Sequence, residues 1–146
     1  MLAVERLTKV FRGLTAVRDV TFDVKANEIV ALIGPNGAGK TTCFNLIAGA
    51  VPPTVGIVRF EGQAITGLAP EQVAARGIIR TFQIVRPMRG MTVLENALIG
   101  ALARTADLTA AAAVAHEALR RVELHPKAQA LANTLTLPDR KMLELA

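Results

Sequence analysis

Eight consecutive residues carry the clearest chemistry in this sequence: Gly34, Pro35, Asn36, Gly37, Ala38, Gly39, Lys40 and Thr41. They satisfy the pattern G-x-x-x-x-G-K-[ST], whose purpose is to hold a phosphate chain. Glycines at 34, 37 and 39 let backbone amides converge on an anion with no side chain in the way. A helix opening near Gly39 adds free amides and the positive end of its dipole. Lys40 is a mobile point charge for β- and γ-phosphates, and the Thr41 hydroxyl suits Mg2+. The run lies between a strand pattern and a helix pattern, as that mechanism needs, so nucleotide binding is predicted.

The elements that must position this loop fall in two halves. Residues 28–33 are a continuous apolar run ending at Gly34, which predicts a strand buried on both faces. A helix is predicted over 39–50, closed by Val51, Pro52 and Pro53. Residues 17–25 alternate, with Val20, Phe22 and Val24 on one face, which predicts a half-buried strand. A strand and turn follow at 56–62, then a short helix from Pro70 with Gly77 past its end, then a strand at 78–82. From residue 92 onward the pattern is helical. Thr92 and Glu95 form a capping box, and helices are predicted to about Ala103 and over about 106–122, with Pro126 and Pro138 in the first turns of later short ones. The turn spanning Arg86, Pro87, Met88, Arg89 and Gly90 separates a nucleotide-binding core at 1–86 from a helical subdomain at 87–146.

Composition narrows the function classes. The 146 residues are 51% hydrophobic and 20% charged, which excludes wholesale disorder. Mean hydropathy is +0.38, but Arg104 and Asp107 interrupt the most apolar stretch, so no membrane span is expected. A secretory start is absent from the N-terminus and Cys43 is the single cysteine, which fits a reducing cytoplasm. A net charge of +5 permits an acidic partner, while 3% aromatics argue against stacking of single-stranded nucleic acid. Arg76, Arg80, Arg86 and Arg89 read as a solvated basic edge. Cys43 reads as a small buried residue, and His116 and His125 as surface or partly packed helix residues.

The run from Ile33 through Thr42, with Thr81, Phe82 and Gln83 downstream, resembles the ATP-binding subunits of ABC transporters. The segments 77–83 and 91–96 look most like the branched-chain amino acid importer branch. The resemblance implies an α/β P-loop NTPase of the ABC ATPase type, with mixed or antiparallel N-terminal strands, a helical subdomain, and a sheet still incomplete at Ala146. It implies that Phe11 stacks on adenine beside Val17, and that residues Gly34 to Thr42 hold the phosphates. Lys40 and Gln83 are the implied catalytic residues, and Thr41 and Gln83 the implied metal ligands. Thr136 would meet the γ-phosphate bound by a second subunit. The implied cofactors are ATP and Mg2+. The implied partners are a homologous ATPase subunit, head to tail, and integral permease subunits at the cytoplasmic face of the plasma membrane, with no direct nucleic-acid contact.

Two departures accompany the resemblance. The family signature reads LSGGQ, and here the aligned stretch is Leu135, Thr136, Leu137, Pro138 and Asp139, which keeps a hydroxyl and loses both glycines. The family's second buried strand, ending in Asp-Glu, has no counterpart in residues 1–146. The expectation is an N-terminal portion of a longer protein that holds ATP without activating water. The alternatives are a naturally short, non-catalytic binding module and a soluble ABC-type ATPase acting on nucleic acid.

Overall fold

The computed structural model describes residues 1–82, 87–88 and 90–146. They divide into two compact units, Met1–Arg80 and Thr81–Ala146. Gln83, and Arg86 and Arg89 of the turn expected to separate two domains, lie outside the described residues.

The first unit is built on an antiparallel sheet of order β2-β1-β3-β4, comprising β1 (Leu2–Phe11), β2 (Leu14–Val24), β3 (Val55–Phe60) and β4 (Gln63–Ala64). Arg12 and Gly13 form the two-residue turn between β1 and β2, both at positive φ, so Phe11 sits opposite Leu14 at the hairpin tip. The strands do not keep a simple period of two. Each carries a bulge, at Arg6 (φ 51°) and Asp19 (φ 49°), and each bulge is pinned by a threonine across the ladder. Thr21 Oγ1 accepts from the Arg6 amide and Thr8 Oγ1 from the Asp19 amide, both at 2.9 Å. The extra residue turns Val4 and Leu7, three apart, and Val17 and Val20, also three apart, toward one core. α1 (Lys40–Ile47) adds Cys43, Leu46 and Ile47 to that core, and α2 (Pro70–Ala75) adds Val73.

Two expected strands do not form. Residues 28–33 and 78–82 belong to no strand, and Ile29 and Ile33 are 98% and 90% exposed. An apolar run becomes a buried strand only when neighbours supply both ladders and cover both faces. None of the four strands pairs with either segment. The apolar pattern is there; the partners that would turn it into a strand are not among the described residues.

The second unit holds α3 (Val93–Leu102), α4 (Leu108–Arg121) and α5 (Leu137–Leu145), joined through two 3-10 turns. The capping box is present: Thr92 Oγ1 accepts from the Glu95 amide at 3.1 Å, and Glu95 accepts from the Thr92 amide at 2.6 Å. Asp107 caps α4 by accepting from the Thr109 amide at 2.9 Å. Val93, Ala97 and Ala101 on α3 share a buried cluster with Ala111, Ala115 and Leu119 on α4. The fourfold spacing puts each set on one stripe, and the alanines let the two backbones approach closely. Among the described residues no helix is long and apolar enough to cross a membrane.

Candidate functional site

Gly37, Ala38, Gly39 and Lys40 of the phosphate loop form one wall of an open cleft of about 380 Å³ in the first unit. Ala16 and Val17 of β2 form the facing wall, with Leu32 and Ile33 at one end. The bulge at Asp19 is what brings Val17 to the same side as Val20, so that both line this cleft. Gly39 makes the close approach possible. Its φ is 84°, and a Cβ there would lie 2.2 Å from the Ala16 carbonyl oxygen. Only glycine accepts both the left-handed backbone and that contact.

Gly39 also stands at the N-cap of α1 and offers no side-chain cap, and the first turn of α1 has no acidic residue. The first amides of a helix have no acceptor within it. The positive end of α1 is therefore left for an external anion. Lys40 Nζ donates to the carbonyl oxygens of Gly34 and Pro35, at 2.6 and 2.7 Å, so the ammonium closes the loop around itself. An ammonium has three donors, and the third suits a phosphate oxygen. Thr41 is exposed in the same turn, where its hydroxyl is accessible to a phosphate-bound cation. This oxygen donor beside an uncapped helix start fits Mg2+ accompanied by phosphate, since that ion prefers oxygen ligands and keeps several waters.

Cys43 lies at the base of the cleft, buried as expected. Burial pushes its thiol above the ordinary value, so it stays protonated and a poor nucleophile at neutral pH. Phe11 is on the surface, 42% exposed, not inside the core. The Lys9 ammonium lies 5.1 Å from the centre of its ring.

The structure thus gathers Val17 and the loop residues 34–42 in one unit, with Phe11 at the tip of the hairpin whose second strand walls the cleft. Thr136 belongs to the second unit, where it caps α5 by accepting from the Asp139 amide at 3.3 Å. Asp139 is itself held by Lys127 at 2.6 Å, and the Lys127 and Thr136 bonds keep its carboxyl below the ordinary range. Gln83, expected to bind metal and position water, lies outside the described residues. Sequence reasoning missed the wall residue Ala16, whose backbone sets the approach of Gly39, and it missed Lys9. No local pattern marks Ala16. Lys9 carries a weak signal, standing two residues before Phe11 on one strand.

Comparison with known proteins places the chain in a family. Residues 17–146 match the ABC transporter family. The chain is 38% identical over 161 aligned positions to the high-affinity branched-chain amino acid transport ATP-binding protein LivG of Escherichia coli K12, covering 100% of this chain and 63% of that protein. It is 46% identical over 99 residues to BraF of Pseudomonas aeruginosa, the corresponding ATP-binding protein, covering 68% of this chain and 39% of that one. It therefore spans between 39% and 63% of the length of these two relatives. The ADP conformation of an ATP-binding cassette of an ABC transporter superposes with a TM-score of 0.85 at 31% identity, over 98% of this chain and 61% of that one. A bacterial ABC transporter cassette solved as a dimer shares the fold, with a TM-score of 0.84 at 22% identity over 99% of this chain and 67% of that one. With its phosphate loop in place and the family match running to its last residue, the chain belongs to the ABC transporter family.

Proposed function

We propose that this chain is the nucleotide-binding portion of an ABC importer ATPase that couples ATP binding and hydrolysis to uptake of branched-chain amino acids. The observation that carries the nucleotide reading is the uncapped, acid-free start of α1, with the Lys40 ammonium centred in the loop before it. The printed functions of LivG and BraF support the cargo class. In this reading Phe11 stacks on adenine with Val17 beside it. The amides of residues 34–42 and Lys40 hold the phosphates, and Thr41 with Gln83 holds Mg2+. That ion neutralises phosphate charge when bound. Lys40 and Gln83 serve the chemistry, Lys40 by binding the charge that builds on the terminal phosphate and Gln83 by orienting water.

The first unit is the nucleotide core, and the helical residues are the face that docks on permease subunits at the cytoplasmic side of the membrane. Thr136 completes the site of a second ATPase subunit packed head to tail. Residues 1–146 contain no apolar strand pattern ending in paired carboxylates, so they hold ATP without turning it over.

Titration calorimetry with Mg-ATP and with Mg-tripolyphosphate tests this reading. Lys40→Ala removes a charge-assisted phosphate contact of about 1.5–3 kcal/mol, so both ligands should bind at least tenfold more weakly. Unchanged affinity in a folded variant would sink the assignment. A phosphate-release assay on the same chain should show no turnover, and steady release would remove the proposed need for further carboxylates.

A further inference from the structure

We propose that Lys9 is a positioning residue for the base end of this site, fixing the Phe11 ring so that one flat face stays open to a heteroaromatic base. This rests on the reading of Phe11 as the adenine contact. Lys9 and Phe11 are two apart on β1, so their side chains leave the same face of the strand. The Lys9 ammonium is 5.1 Å from the Phe11 ring centre and donates to the Pro52 carbonyl oxygen at 2.6 Å. That carbonyl is a fixed anchor. Thr54, two residues beyond Pro52, bonds β1 twice, its amide to the Thr8 carbonyl at 2.9 Å and its hydroxyl accepting from the Val10 amide at 3.0 Å.

The ammonium is therefore clamped between a backbone oxygen and a ring, which an exposed lysine does not ordinarily achieve against its own rotamer entropy. A cation over one face uses the attraction of the ring quadrupole and holds the ring against rotation. Phe11 is 42% exposed, and in this proposal the base stacks on the face opposite the ammonium. The ligand class is a nucleoside polyphosphate, with its base at the hairpin tip and its phosphates at α1.

The test compares Mg-ATP with Mg-tripolyphosphate on the full chain. Lys9→Met keeps the aliphatic stem and removes the charge. It should weaken ATP about two- to fivefold and leave tripolyphosphate unchanged. Lys9→Arg should restore most of the loss. In a Phe11→Leu background, Lys9→Met should have no further effect on ATP. An equal fall for both ligands would make Lys9 a general attractor of anions and overturn the inference, as would unchanged ATP affinity. The two readings fail separately. If Phe11→Ala leaves the ratio of ATP to tripolyphosphate affinity unchanged, the adenine reading itself is wrong. If Phe11→Ala lowers that ratio and Lys9→Met does not, only the role of Lys9 is wrong.

Discussion

The two units of this chain differ in whether their apolar stretches reach the secondary structure their pattern predicts. In Thr81–Ala146 one stripe of α3 and one of α4 share a buried cluster while Ile99, Leu102, Leu108 and Val114 stay exposed, and the helix starts are capped by Thr92, Asp107 and Thr136. In Met1–Arg80 the core is equally tight around Val4, Leu7 and Val58, yet Ile29, Ile33 and Ile79 stand in solvent. The difference follows from where each element finds its hydrogen bonds. A helix satisfies its backbone internally and needs neighbours for one face only, whereas a strand borrows every ladder bond from another segment. In the helical unit each helix forms and is capped by local sequence, while the start of α3 is tied to residues 128–132 by backbone bonds. The sheet unit keeps apolar segments that pair with none of its four strands, and it is the unit that carries the phosphate loop.

Substitutions can break or sharpen this contrast. Leu119 is fully buried in the helical core, so Leu119→Ala should cost about 2–5 kcal/mol. Hydrogen exchange should show lost protection across α3 and α4, with β1 and α1 unaffected. Parallel loss in both units would mean they unfold as one cooperative core. Gly39→Ala should cost the first unit about 1–3 kcal/mol through left-handed strain and the close Ala16 oxygen, and widen the cleft. Its readout is weakened ATP affinity with α3 and α4 protection intact.

Thr92→Ala removes the α3 cap, at about 1 kcal/mol. The paired Glu95 adds a pH signature. The Thr92 amide and hydroxyl hold its carboxyl below the ordinary 4.5. A depressed carboxyl stabilises the fold above its ordinary value, and that stabilisation is lost as pH falls through the folded value. The melting difference between wild type and Thr92→Ala should accordingly shrink as pH drops below 4.5. A difference independent of pH would show that Glu95 takes no part in the cap. The smallest effect belongs to Ile29→Ala, which should change stability by less than about 0.5 kcal/mol because the side chain touches little. A core-sized loss would mean that residues 28–33 are packed in solution.

Much of the site was legible before any coordinates. The phosphate loop is a local device, so its glycines, Lys40 and Thr41 could be named from spacing, and their placement at the start of α1 follows from the same residues. The capping box at Thr92 was equally local. The bulges at Arg6 and Asp19 were not legible, because each depends on which residue of the opposing strand faces it. The same holds for the Ala16 backbone against Gly39, and for Pro52 against Lys9, 43 residues away.

What the residues alone determined is the part whose hydrogen bonds and charges close within a few positions: loop, caps, helix stripes and the chemistry of an anion site. What the tertiary structure decided is every feature that needs a second segment. The fate of 28–33 as exposed chain, the arrival of Val17 at the cleft, and the clamped ammonium over Phe11 are all of that kind. Short-range bonding can be read along one chain segment, while pairing and burial are properties of two segments brought together.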